Sequence, residues 1–425
     1  MHVGGSLSLN WRNVGPRRPG FETQIQNEVY LADMYFGVDG PFVDQVPFNL
    51  EWHMPTGSQG RLQLNQLNFT YERVDHWRFQ FGKLLVPFGR YNELYKPDQY
   101  LTVTRPLLYA APDSLDLVVR PNSPRPPLSS GYTDIGVRVS YYPPTQHPLV
   151  PSEATLFVVN GPGETSNRQR TFPDPENLGI QGIPTNGLTV DFGHRNNNLA
   201  DNNNAKAFGG RCVFGAGDVR IPWPFPEEAA DLTGVSVGVS GMGGRYDLEG
   251  YLDSFLYGLD LSFHYLGLHF SGEYMYSYNH FLAPLGTSAT TLAAPLQQVR
   301  SREEIHGYFL QTSFPVLRKA PVGKRVTGIV VFNQVVRRGP QLDLFLNYND
   351  GKTIFPSLLA FNSRAPIVTR WIDKYTGALN WELTDHFFLK FDYSYWTMGK
   401  STIRSESSLG LVDIYQTAFS MVMSF

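Results

Sequence analysis

The chain has 425 residues, 35 of them Lys or Arg against 38 Asp or Glu, for a formal charge of −3; aromatic residues make up 14% and charged ones only 17%. That balance offers no basic surface for nucleic acid, and the single cysteine, Cys212, excludes an intramolecular disulfide and a Cys-x-x-Cys-His haem attachment. No apolar run reaches the roughly 18 residues of a transmembrane helix, and a mean hydropathy of −0.25 also suits a membrane barrel in which half of each strand faces water.

Met1 leads straight into His2-Val3-Gly4-Gly5, with no basic stretch and apolar core of a leader peptide, so the sequence is expected to be the mature form of an exported chain. Alternating strands are then predicted over about 2–14, 21–37, 45–54, 61–73, 77–90, 130–142, 153–161 and 204–216. The second half continues with about 234–246, 254–264, 267–280, 303–314, 325–337, 368–384, 386–396 and 412–425. Most have the length of a tilted membrane strand, and their number is even, as closed bacterial barrels require.

Several strands show one apolar face with aromatics toward its ends. Ile135, Val137, Val139 and Tyr141 alternate with Asp134, Gly136, Arg138 and Ser140. Tyr257, Leu259, Leu261, Phe263 and Tyr265 alternate with Gly258, Asp260, Ser262 and His264. Phe387, Leu389, Phe391, Tyr393 and Tyr395 alternate with Phe388, Lys390, Asp392 and Ser394, and the chain ends on Phe419, Met421, Met423 and Phe425. Aliphatic centres with aromatic ends form the girdle of a lipid-facing surface. Connection lengths agree: about 91–129, 162–203, 281–302 and 338–367 are long and fall on one side. Val74-Asp75-His76, Leu266 and Asp385 are tight and fall on the other, with longer links after the eighth and twelfth strands as exceptions. The fold class is therefore all-β: one transmembrane antiparallel barrel of about sixteen strands over 1–425, with long extracellular loops and short periplasmic turns.

The fifth strand and its exit read Trp77-Arg78-Phe79-Gln80-Phe81-Gly82-Lys83-Leu84-Leu85-Val86-Pro87-Phe88-Gly89-Arg90. Further on, Asn160-Gly161 ends a strand, an Asn-rich stretch comes next, and Lys206 precedes Gly209-Gly210-Arg211. In order, and with a terminal Phe425, these elements resemble the phosphate-selective porin O and P family. The resemblance covers about a third of the chain and implies a homotrimeric outer-membrane channel with a loop folded inward. The lysine rows that phosphate selectivity needs are missing: Lys83, Lys206, Lys374 and Lys390 are among the few on predicted strands, and Lys83 has lipid-facing parity.

The 91–129 stretch is too apolar for an exposed loop, carrying Tyr100-Leu101, Leu107-Leu108-Tyr109 and Leu115 to Val119. It is expected to fold inward and constrict the lumen. Arg90, Arg105, Arg120 and Arg125 lie on or beside it, Arg78 and Arg138 have inward parity, and Lys390 belongs to the same lining. Two readings stand. Convergence of Arg105, Arg120, Arg138 and Arg78 makes an anion filter; pairing with Asp113, Asp116 and Asp134 makes a rigid, nearly neutral scaffold. The Pro-rich run from Arg120 to Pro127 reads as a stiff strap.

Asp201-Asn202-Asn203-Asn204 reads as a solvated turn and His264 and His269 as polar lining, not as metal sites. No Gly-x-Ser-x-Gly elbow occurs, so no enzyme is expected, and no cofactor either. The function expected is a porin in the bacterial outer membrane, among phospholipid and lipopolysaccharide, passing small hydrophilic solutes with at most a weak preference for anions. The alternative is a structural barrel, a scaffold or sheath with a partner protein in an envelope complex.

Overall fold

The computed structural model describes residues 1–15, 27–43, 46–55, 62–109, 127–128, 131–144, 150–164, 190–191, 205–216, 234–246, 253–265, 267–284, 298–338, 369–400 and 412–425. The wall begins with β1 (His2–Gly15), β2 (Asn27–Val43), β3 (Val46–Pro55), β4 (Gln63–Tyr71), β5 (Trp77–Leu85), β6 (Thr133–Tyr141) and β7 (Glu153–Val159). A two-residue pair, β8 (Gly163–Glu164) with β9 (Val190–Asp191), stands apart from it. The wall resumes with β10 (Ala207–Ala216), β11 (Val235–Arg245), β12 (Asp253–Tyr265), β13 (Leu268–Pro284) and β14 (Gln298–Leu317). It ends with β15 (Arg325–Arg338), β16 (Thr369–Thr384), β17 (Phe387–Lys400) and β18 (Val412–Ser424).

Sixteen strands close into one barrel, each antiparallel to the next, with β18 returning to β1. The seam is stitched from Ser6–Ser424 to Gly15–Tyr415. Beyond it, the Gly5 N–H donates to the Phe425 carbonyl and the Phe425 N–H to the Gly5 carbonyl, both at 3.0 Å. Every predicted strand has its counterpart, and the mismatches have local causes. The fifth strand ends at Leu85 rather than 90, because Pro87 has no N–H to give a neighbour and Gly89 turns the backbone at φ +66°. The link after β14 is closed locally, with the Ala320 N–H donating to Lys324 O and the Lys324 N–H to Glu382 O.

The two faces separate as the alternation predicts. On β17, Phe391 and Tyr393 are outside and exposed while Lys390, Asp392 and Ser394 are buried inside. Tyr257, Leu259 and Leu261 of β12 are outside against a buried Asp260 and Ser262. Outward aromatics meet from strand to strand: Tyr308, Phe332, Tyr375, Tyr395 and Tyr415 form an unbroken chain of ring contacts, at 5.6, 4.9, 6.2 and 5.1 Å in turn, across β14 to β18. Trp77, Tyr141, Phe79, Tyr71, Phe81, Phe69 and Phe42 cluster outside β2 to β6 near the short turns. Rings with one apolar body and a polar tip belong at the two water–lipid boundaries.

One expectation of exposure fails. Lys83 keeps its register opposite Leu67 and Ile135, yet it is only 3% exposed, and its Nζ donates to the Leu64 carbonyl at 2.6 Å. Gly82 beside it has φ +118°. A Cβ at Gly82 would run into the Leu67 carbonyl and come within 3.1 Å of the Asn68 Cα. Gly82→Ala is accordingly expected to destabilise the folded barrel by about 1–3 kcal/mol, measured as a shifted denaturant midpoint of the refolded protein in detergent or lipid.

Candidate functional site

The segment that leaves β5 turns into the lumen at its first residues. The Val86 N–H donates to the Tyr132 carbonyl at 3.0 Å, tying exit and return together. Asn92 reinforces that tie, donating to Val86 O and accepting from the Tyr132 N–H, each at 2.9 Å. At Gly89 a side chain would strike the Tyr109 hydroxyl, and the left-handed backbone there also demands glycine. Val86, Phe88, Tyr91, Leu107, Leu108 and Tyr109 are then buried in one cluster with Ile305, Phe309, Ile329, Val331 and Trp396 of the facing wall. The ring of Tyr91 lies 5.1 Å from that of Tyr109 and 5.7 Å from that of Phe309. An apolar patch on the inner wall, useless to a plain water channel, is thus covered by an apolar segment.

Polar contacts pin the same segment to three sides of the lumen. Toward β2 and β3, Glu51 accepts from the Tyr95 hydroxyl at 2.6 Å and pairs with Lys96 at 2.5 Å, while Arg105 meets Asp33 at 2.9 Å. Toward β16 and β17, one oxygen of Asp392 accepts the Val103 N–H, the Thr104 N–H and the Thr104 hydroxyl at 2.9, 2.8 and 3.1 Å. Lys374 donates to that hydroxyl at 2.6 Å, and Lys390 donates to the Pro97 carbonyl at 2.5 Å and to the Tyr100 carbonyl. Toward β11 and β13, Glu273 accepts the Tyr91 N–H and the Tyr109 hydroxyl, and Ser240 accepts the Gly89 N–H at 3.2 Å. Anchors on strands so far apart in the barrel order mean that the segment lies across the opening. Burial keeps the hydroxyls of Tyr91, Tyr95 and Tyr109 neutral, their pKa values far above the ordinary phenol range.

The arginines singled out from the sequence go to separate partners. Arg105 pairs with Asp33, Arg138 with Glu153 at 2.9 Å, and Arg78 with Glu72 near the short turns. Arg90 donates to the Ser236 hydroxyl at 3.2 Å. Asp134 accepts instead from the Tyr132 hydroxyl and the Gly161 N–H, at 2.9 and 2.6 Å. Arg120, Arg125, Asp113 and Asp116 lie outside the described residues, as do Asp201 to Asn204 and most of the Pro-rich run. His264 and His269 face each other near the tight turn, with ring centroids 5.2 Å apart and Ser262 bonded to His269 at 3.0 Å.

Sequence reasoning missed the carboxylates that do most of the anchoring: Asp33, Glu51, Glu273 and, as a partner, Asp392. It also missed the buried bidentate pair of Arg211 and Asp260, at 2.6 and 3.0 Å. Inward parity on their strands was the available signal. Glu93, in the 3₁₀ turn of the segment (Tyr91–Glu93), stands near this group. Burial raises its carboxyl above the ordinary range, against the pull of Arg211 and Arg138.

A closed sixteen-stranded transmembrane barrel with a segment across its lumen has the architecture of the outer-membrane porins. No family model matches the sequence, and no curated protein matches it. Solved structures share the fold: OprB of Pseudomonas putida, at high pH, aligns with TM-score 0.51 and 8% identity over 100% of this chain and 93% of that one. An anion-selective porin from Comamonas acidovorans aligns with TM-score 0.50 and 10% identity over 100% and 99%. At such identities the likeness speaks to the fold alone.

Asp392→Ala would strip the partner from two backbone N–H groups in a buried place, at about 1–3 kcal/mol for each unsatisfied group. The 97–104 stretch is expected to loosen, and amide exchange at Val103 and Thr104 to speed up by about tenfold or more, while exchange in β1 and β18 stays as it was.

Proposed function

We propose that this chain is an outer-membrane porin through which small hydrophilic solutes diffuse, with the segment that begins at Tyr91 as its constriction. The observation that carries the reading is the opposition of faces: an apolar, aromatic-rimmed exterior and a polar interior crossed by a pinned segment. An exterior of that kind is solvated by phospholipid and lipopolysaccharide acyl chains, and a polar interior by water. The motif resemblance to the phosphate-selective porins supports the same class and a homotrimeric assembly. No observation favours the scaffold or sheath.

Selectivity in this proposal comes chiefly from size. Arginine–carboxylate pairs leave little net field along the path, since a paired charge offers a passing ion far less than a lone one. Lys374 and Lys390 are committed to oxygens of the constricting segment. Arg90, held by a serine hydroxyl, is the residue through which a weak anion preference acts.

Purified protein in planar bilayers is expected to give stable conductance steps, with a reversal potential under a potassium chloride gradient that is zero or slightly displaced toward chloride. Arg90→Ala removes whatever displacement the unchanged protein shows. Folded, heat-modifiable protein that yields no steps would sink the porin, and a strong ion bias surviving Arg90→Ala would sink the size-governed lumen.

A further inference from the structure

A cavity of about 470 Å³ opens on the inner side of β2 to β5, toward their short-turn end. Its polar lining is made of uncharged hydrogen-bonding groups: Asn49, Gln66, Asn68, Thr70 and Gln80. Among the described residues that line it, Asp39 is the one that carries a charge, and it pairs with His2 at 3.3 Å. This differs from the region around the inner segment, where arginines and lysines meet carboxylates and loop carbonyls.

The amides are organised rather than scattered. Asn49 and Asn68 both donate to the same Gln66 oxygen, at 3.4 and 3.3 Å, and Gln66 donates in turn to the Tyr95 hydroxyl at 2.7 Å. Gln80 donates to the Thr70 hydroxyl at 3.2 Å. A primary amide has two donors and two acceptor positions: Gln66 uses all four, its second donor reaching Glu51 at 3.5 Å, and so orients Asn49 and Asn68, which each give it one N–H. Pro41 and Pro47 add apolar surface to the same cavity.

Such a lining selects by chemistry. An anion would find no cation among these lining residues and would meet Asp39, while a cation would find only a carboxylate already beside His2. A hydroxyl both donates and accepts, which is what side-by-side amides match, and the carbon face of a sugar ring suits the rings of Pro41 and Pro47. The volume falls within the roughly 300–1,000 Å³ of small-molecule sites. Because Gln66 is bonded to Tyr95 of the inner segment, the cavity adjoins the constriction and lies on the path of a solute that has passed it.

We propose that this amide-lined cavity is a binding subsite for uncharged polyhydroxylated solutes of mono- or disaccharide size. The inference rests on the porin reading for its role in transport but not for binding itself. In planar bilayers carrying the full chain, glucose or sucrose is expected to interrupt the potassium chloride current saturably. The half-blocking concentration, normalised to each variant's own open current, should rise about tenfold in the double variant Asn68→Ala, Gln80→Ala, as the loss of two such hydrogen bonds implies. Should the double variant fail to fold, Gln80→Ala alone is read in the same way, with a smaller rise. A current that falls only with the bulk conductivity of the sugar solution, alike in variant and unchanged protein, overturns the subsite. If folded protein gives no current, the porin reading fails, and calorimetric titration with glucose and sucrose in detergent decides the subsite: saturable heat lost in the variant supports it, and no heat overturns it.

Discussion

Everything in this molecule depends on the pairing of each strand's backbone with a neighbour on both sides, all the way round. In the hydrocarbon core of a bilayer an unpaired N–H or C=O has no water to turn to, and each costs several kcal/mol. A sheet with two open edges is therefore not a possible state there, and the register from β1 to β18 is the condition for the other fifteen pairings to persist. Once the ring is closed, alternation does the rest. Side chains can only point to lipid or to the lumen, so the sequence of each strand is split between two solvents.

Closing the ring creates the problem that the inner segment solves. The wall from β14 to β17 turns Ile305, Phe309, Ile329, Val331 and Trp396 inward, and an apolar inner wall in contact with water is unfavourable. The segment from Val86 to Tyr109 covers that wall with its own apolar residues and then needs its backbone satisfied where it is not part of a sheet. Asp392 and Lys390 do this from β17, one taking N–H groups and the other giving to carbonyls. Charges serve here because their hydrogen bonds are stronger than neutral ones and because removing one partner strands the other.

Arg105, Arg138 and Arg211 are each beside a carboxylate, so the charges that brace the wall are largely balanced where they stand. The lumen is thereby divided into a charged, braced region around the segment and an amide-lined region beside β2 to β5. In the proposed porin, the first region would act on a solute's size and the second on its hydrogen-bonding groups.

The strand count, the lipid-facing sides of β12, β17 and β18, and the apolar character of the stretch after Arg90 were all legible in the sequence. They rest on period-two alternation and local composition, which act over a few residues. Parity misleads at Lys83, which keeps the register of the outward side opposite Leu67 and Ile135 while its side chain is buried, because parity fixes where a side chain starts and not where its long stem ends. The partners of the arginines were not legible. Parity shows that Arg138 and Asp134 face inward, but which carboxylate Arg138 reaches depends on register across the β6–β7 pair, and that brings Glu153 rather than Asp134. Likewise Arg105 meets Asp33, and Thr104 meets Asp392, across long stretches of chain or the width of the barrel, distances that only closure of the ring makes short. The sequence by itself determined a barrel and its two faces, because those come from neighbours along the chain; the tertiary structure alone decided which charges meet inside it, because that comes from neighbours across it.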